Sequence, residues 1–230
     1  MKTPPAALFA RRLELLTRQG HVFGPVSFEA PPGSVTAVLG ASGSGKTALL
    51  LAMTGRMRAT GGTALACGYD IGRQANKVRR IAGLGLICGV NDLEPGLTGQ
   101  QHVAEQRLII GRACRTDRDV LAAAGLNVAG SLRARELSAE QRIRLGLALA
   151  LVGQPRIIAL DDLDRDLTTE QIASVGRTLR SLVDDGLTVL VACLDERSAG
   201  FADSTVWATS QLVPFEDALA ETEEVAHAFA

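Results

Sequence analysis

Gly40-Ala41-Ser42-Gly43-Ser44-Gly45-Lys46-Thr47 is a run whose residue types and spacing suit one task, the holding of phosphate groups. It matches G-x-x-x-x-G-K-[S/T] at every fixed position. The glycines let the backbone fold tightly, so that several N–H groups face one anion. A helix starting at Lys46 turns its positive dipole end toward the same point. Lys46 would reach the β- and γ-phosphates of a nucleotide such as ATP, and the Thr47 hydroxyl would ligate Mg²⁺. The only lysines are Lys2, Lys46 and Lys77, which makes the placement of Lys46 more telling. The bland reading is a Gly/Ser turn before a helix. The apolar strand Val35 to Leu39 that runs into Gly40 favours the phosphate reading.

A metal at such a site needs an acid at the end of a buried strand. Ile157-Ile158-Ala159-Leu160 runs into Asp161, which would hold Mg²⁺ through water. Asp162 would sit beside the γ-phosphate and is, with Lys46, the candidate catalytic residue. Asp164 and Asp166 follow closely, so a plain acidic loop is the competing reading.

These groups need elements to position them. Leu13 to Leu16, Val22 to Glu29 and Ser34 to Leu39 read as strands separated by turn residues. A helix is expected from Lys46 to about Met53. Thr63 to Cys67 reads as a strand, and Ile81 to Ile87 as an apolar segment. From Thr98 to about Gly125 the periodicity is helical. Ser138 to Val152 is a strong helix, with Ser138 as cap and Gln141 three residues on. Strands at Ile157 to Leu160, Thr188 to Ala192 and Thr205 to Ala208 alternate with helices at Thr168 to Val183 and Asp195 to Ala202. That alternation argues for an α/β fold with a largely parallel sheet.

The chain has 230 residues and a formal net charge of −1, which gives no reason to expect a nucleic-acid partner. No apolar run approaches the roughly 20 residues of a membrane span. A cytoplasmic protein that meets the membrane through a partner is the expectation. Cys67, Cys88, Cys114 and Cys193 form no C-x-x-C pair and read as reduced thiols packed as small hydrophobes. His21, His102 and His227 are isolated and suggest no metal site.

Taken together, the motifs resemble one family, the ATP-binding cassette (ABC) proteins, over roughly residues 11 to 212. Leu137-Ser138-Ala139-Glu140-Gln141 stands where that family has its L-S-G-G-Q signature. A helix, Pro155-Arg156 and the acidic strand follow at the family's spacing. Gly61-Gly62-Thr63, Leu93 to Thr98 and Thr188 to Asp195 resemble further family segments. The resemblance implies a P-loop α/β core with an N-terminal antiparallel β subdomain and a helical subdomain. The nucleotide-binding lobe would span about 11–97 and 153–212, the helical lobe about 98–152, and an acidic tail 213–230. It also implies a head-to-tail pair, either a homodimer or a heterodimer with another ABC ATPase chain, on a transmembrane permease subunit. Each ATP would lie between one chain's P-loop and the other's Ser138 and Gln141.

Departures from the family pattern matter as much. The family's loop glutamine falls at Gly89, its histidine at Leu194, its catalytic glutamate at Asp162, and its dimer-contact aspartate at Thr168. Ala139 and Glu140 replace two signature glycines, and Glu140 adds a negative charge near a polyanion unless it points away. The adenine-stacking aromatic falls near Gln19, with Phe23 or His21 as substitutes. Binding parts survive and hydrolysis parts are thinned, which suggests an ATPase that holds ATP and turns it over slowly. A nucleotide-gated scaffold without transport is the alternative. A small-molecule kinase fits the length but not the signature-like segment.

Overall fold

The computed structural model describes residues 7–111, 116–126 and 131–212. The acidic tail, Cys114 and His227 lie outside these residues.

The chain runs β1 (Leu8–Thr17), β2 (Gly20–Ala30), β3 (Val35–Leu39), α1 (Lys46–Met53), β4 (Gly61–Ala66), β5 (Tyr69–Asp70), α2 (Ile71–Ile81) and β6 (Ala82–Leu84). It continues through α3 (Gly99–Ile110), α4 (Asp117–Ala123), α5 (Ala139–Leu151), β7 (Ile157–Leu160), α6 (Thr169–Asp184), β8 (Thr188–Cys193), β9 (Ser204–Trp207) and β10 (Gln211–Leu212). Two five-stranded sheets result, one antiparallel in the order β10-β2-β1-β4-β5 and one parallel in the order β6-β7-β8-β3-β9. This is the expected α/β architecture, a parallel core with an N-terminal antiparallel sheet and a helical part.

Alternation along the central strands makes the layers. Val35, Ala37 and Leu39 of β3 and Val189, Val191 and Cys193 of β8 pack with α3, α4, α5 and α6. Val38, Leu190 and Ala192 pack on the opposite face with α1 and the antiparallel sheet. Both faces of the parallel sheet are therefore dry, and its strands read as unbroken apolar runs. Helix α1 is buried almost all round, between the two sheets. That burial fixes the direction of its N-terminus.

Several boundaries differ from expectation. Strand β1 begins at Leu8 rather than Leu13, because its outer half pairs on both sides, with β2 and β4. Helix α2 is strongly amphipathic but polar overall, and only Ile71 and Val78 are buried, so it is easily passed over in the sequence. The apolar segment after it forms only the short β6. The helical stretch from Thr98 is two helices, α3 and α4, capped by Thr98 and Thr116. Asp195 to Ala202 is not a helix but consecutive turns, held by Ser198 N–H on Asp195 Oδ1 at 3.0 Å and by Ala202 N–H on the Ala199 carbonyl at 2.8 Å.

Candidate functional site

The loop between β3 and α1 leaves the carboxyl edge of the parallel sheet, where α/β folds place their ligands. Gly45 is the N-cap of α1 at φ 87°, and a Cβ there would run into the Val22 carbonyl oxygen and the Phe23 side chain. Gly40 is similarly confined, by Ser44 Oγ and the Ala208 carbonyl. Only glycine fits these two positions. The first turn of α1 carries no acidic residue of its own, so nothing within the helix offsets its positive end.

Lys46 is buried, and its Nζ donates to the carbonyls of Gly40 at 2.7 Å and Ala41 at 3.0 Å. The side chain thus curls back over the loop. Ala41, Ser42 and Gly43 are exposed at its rim. Ser44 Oγ is buried with no hydrogen-bond partner. A buried hydroxyl of this kind asks for a partner from outside the chain.

Strand β7 delivers the acids. Thr47 Oγ1 donates to Asp161 Oδ2 at 2.6 Å, and Asp161 Oδ1 accepts from the Asp162 N–H at 3.1 Å. Burial pushes the Asp161 carboxyl above its ordinary range. The Thr47 hydrogen bond opposes that push, and the neighbouring Asp162 charge adds to it. A hydroxyl and a carboxylate side by side form a hard oxygen pair that would suit Mg²⁺, an ion that fills its remaining positions with water and phosphate oxygens. Asp162 itself stands at φ 43°, with Oδ2 at 3.5 Å from Arg165 Nη1.

The structure therefore brings Gly40 to Thr47, Asp161 and Asp162 together. Ser138 and Gln141 sit apart from them, at the head of α5. Ser138 Oγ accepts from Gln141 N–H at 3.3 Å, and Gln141 Oε1 accepts from Ser138 N–H at 2.9 Å, a reciprocal cap.

The family profile described as ABC transporter matches residues 23–164, more than half of the chain. The lipoprotein-releasing system ATP-binding protein LolD of Syntrophotalea carbinolica is 32% identical over 199 residues, covering 83% of this chain and 87% of that protein. The chain belongs to the ABC transporter family. The Nod factor export ATP-binding protein I of Paraburkholderia xenovorans is 31% identical, over 82% of this chain and 62% of that protein. Among solved structures, a dimeric post-hydrolysis state of the ATP-binding cassette MJ0796 bound to ADP and Pi superposes with a TM-score of 0.75. It covers 90% of this chain and 99% of the other at 20% identity, a likeness of fold.

The departures of this ABC chain now have surroundings. Around Gly89 the loop is closed on itself: Asn91 Oδ1 accepts from Ile87 N–H at 2.7 Å, Asn91 Nδ2 donates to the Gly85 carbonyl, and Asp92 accepts from Gly89 N–H. Leu194 is exposed, and its N–H donates to Asp164 Oδ2 at 2.7 Å. Thr168 caps α6. Phe23 is fully buried beneath the loop, which removes it as an adenine stack. His21 is partly buried, 3.7 Å from Glu14. Cys88 is exposed, against the expectation that the thiols pack as hydrophobes, while Cys193 is buried.

Sequence reasoning also missed two structural polar residues. His102 is buried and ties Glu94 N–H and the Thr98 carbonyl together, at 3.0 and 2.9 Å. Arg144 is buried inside a ring of acceptors. Each has one partner a helical turn away, Thr98 for His102 and Glu140 for Arg144, but their burial depends on partners that the fold brings in, Glu94 for His102 and Ala124, Ser174 and Thr178 for Arg144.

Proposed function

We propose that this chain binds Mg²⁺–ATP at the Gly40 to Thr47 loop, pairs with a second cassette when ATP is bound, and drives or regulates a membrane permease while hydrolysing slowly. The observation that carries the reading is the loop itself, with Lys46 folded over its carbonyls and Thr47 joined to Asp161.

Bound ATP brings a phosphate chain whose charge Mg²⁺ partly neutralises. The chain's own residues do the rest. The loop N–H groups and the end of α1 hold the anion. The Lys46 ammonium has three donors and spends two on the loop, leaving one for phosphate. Ser44 Oγ gains its missing partner. Thr47 and Asp161 hold the metal. Ser138 and Gln141 would face the ATP of the other chain, as the family resemblance implies.

Slow turnover is supported by the hydrolytic side. Asp162 is short for the glutamate position and lies near Arg165, and Leu194 offers no ring nitrogen to orient water. No helix among the described residues is long and apolar enough to cross a membrane. In this reading the permease is a partner subunit, with the cassette peripheral on the cytoplasmic face.

A second reading, a nucleotide-gated scaffold without transport, is favoured by the self-closed loop around Gly89. Light scattering of wild type and Lys46→Ala, with and without Mg²⁺–ATP, tests the first reading. ATP-dependent dimers in the wild type alone, or in a mixture with a second cassette, are the expected result. Co-purification with an integral membrane protein separates transport from scaffold. An ATP-insensitive monomer in every mixture contradicts both.

A further inference from the structure

Glu140 is the residue that should harm a phosphate-facing helix end. It stands in the first turn of α5, one position past Ala139. Its carboxylate, however, is committed elsewhere. Glu140 Oε1 accepts from Arg144 Nε at 3.0 Å and from Arg144 Nη2 at 2.8 Å. The Arg144 side chain is only 9% exposed and that of Glu140 only 22%.

The remaining donors of Arg144 reach two other helices. Nη1 donates to the Ala124 carbonyl, at the end of α4, at 3.0 Å and to Thr178 Oγ1 of α6 at 2.9 Å. Nη2 also donates to Ser174 Oγ of α6 at 2.8 Å. A guanidinium carries five N–H donors, and all five are placed. Among the described residues Glu140 is the one carboxylate within ion-pair distance of it. A buried guanidinium without its counter-ion is strongly unfavourable. Glu140 is therefore what allows Arg144 to stay inside, where it joins α4, α5 and α6.

We propose that Glu140 and Arg144 form a charge-neutral latch, in which Glu140 is a positioning residue that sets the head of α5 against α6 and keeps its own charge off the phosphate-facing end. The functional half of this inference rests on the proposed ATP-dependent pairing. The latch itself does not. The cap formed by Ser138 and Gln141 leaves the N–H groups of Ala139 and Glu140 outside its two hydrogen bonds. The Ser138 hydroxyl accepts in the cap and keeps its proton to donate. With Glu140 turned onto Arg144, the end of α5 stays positive although an acid lies in its first turn. Helix α6, capped by Thr168, follows the acidic loop of Asp161 to Asp166, so the latch also links the head of α5 to the helix that follows that loop.

The opposite role makes the opposite prediction. A Glu140 that faced the phosphate would repel it, and its removal would tighten ATP-dependent pairing. The latch requires its removal to loosen pairing, because the head of α5 shifts and a buried cation loses its partner.

The experiment uses the whole chain in two readouts. Thermal unfolding without nucleotide compares wild type, Glu140→Gln, Arg144→Met and the double variant Glu140→Gln with Arg144→Met. Each single variant is expected to lower Tm by about 5–10 °C, and the double variant to lose clearly less than the sum. ATP-dependent pairing and ATP binding to the lone chain are then measured on wild type and Glu140→Gln. Pairing is expected to weaken about 10-fold or more while ATP binding to the lone chain is unchanged. Tighter pairing in Glu140→Gln, or additive Tm losses in the double variant, overturns the latch. If the wild type does not pair with ATP at all, the pairing proposal fails, and the Tm cycle still decides the latch.

Discussion

Thr47 and Asp161 meet at 2.6 Å across the carboxyl edge of the parallel sheet, although β8 separates the strands that deliver them. In the proposed reading this contact closes the site on the side that would hold the metal. Asp161→Asn keeps the shape but removes the charge and turns one of the two acceptor oxygens into a donor. It is expected to reduce the gain in ATP affinity that Mg²⁺ provides by about 10-fold or more, a loss of the size seen when a group that supports a metal is removed. Titration of ATP in Mg²⁺ and in chelator, on wild type and variant, checks this. An equal Mg²⁺ effect in both would remove Asp161 from the metal site.

Gly45 tests the shape of the loop without touching a charge. At φ 87° and with no room for a Cβ, Gly45→Ala must displace either the loop or the Val22 backbone. The expected cost is on the order of 1–3 kcal/mol in stability, together with a marked loss of ATP affinity. Chemical unfolding and ATP titration measure the two. Near wild-type values in both would mean that the loop is softer than its packing implies.

The slow-turnover reading predicts a gain. Asp162→Glu lengthens the carboxylate by one methylene, and Leu194→His restores a ring nitrogen at an exposed position. The two together are expected to raise steady-state phosphate release by on the order of 10-fold or more, within the range of a positioned general base. No gain, with ATP still bound, would place the limit elsewhere, for instance at the loop closed by Asn91.

How much of this was legible in the sequence follows from how local each signal is. The turn before α1, the start of α1 at Lys46 and the cap at Ser138 depend on residues within a few positions of one another, and they stand where the pattern puts them. The strands β3, β7 and β8 announce themselves because both of their faces are apolar. Helix α2 did not, since a surface helix with two buried residues has little apolar signal. Asp195 to Ala202 has helical spacing but lies against the sheet edge, where Asp195 caps a turn and Asp164 holds Leu194. Glu140 could be seen as a problem in the sequence. Its partner Arg144 stands one helical turn on, but the burial of that pair could not be seen, because the other partners of Arg144 come from the end of α4 and from α6, 20 to 34 positions away.

Asp203 gives a pH-dependent prediction. It joins β3 to α6 by accepting from Val35 N–H at 2.8 Å and from Arg180 Nη1 at 2.6 Å. Burial tends to raise its carboxyl, but these two hydrogen bonds and the Arg180 charge outweigh it and hold the group below its ordinary range. A depressed folded-state pKa means that the stabilisation is present above the unfolded value, near 3.8, and is lost as pH falls through the folded value. Asp203→Asn should therefore destabilise at pH 7 by about 0.5–1.5 kcal/mol, a modest figure because the carboxylate is partly exposed. Denaturation across pH 7 to 3 should show the difference from wild type shrinking with acid. A difference that grows with acid would contradict the assignment.

The central claim is that this chain holds ATP through Lys46 and its loop. Calorimetric titration of Mg²⁺–ATP into wild type and Lys46→Ala tests it most directly. The account predicts saturable binding to the wild type, weakened about 10- to 100-fold in the variant by loss of a charge-assisted hydrogen bond. Equal affinity in the two proteins, or no binding to a folded wild type, would contradict it.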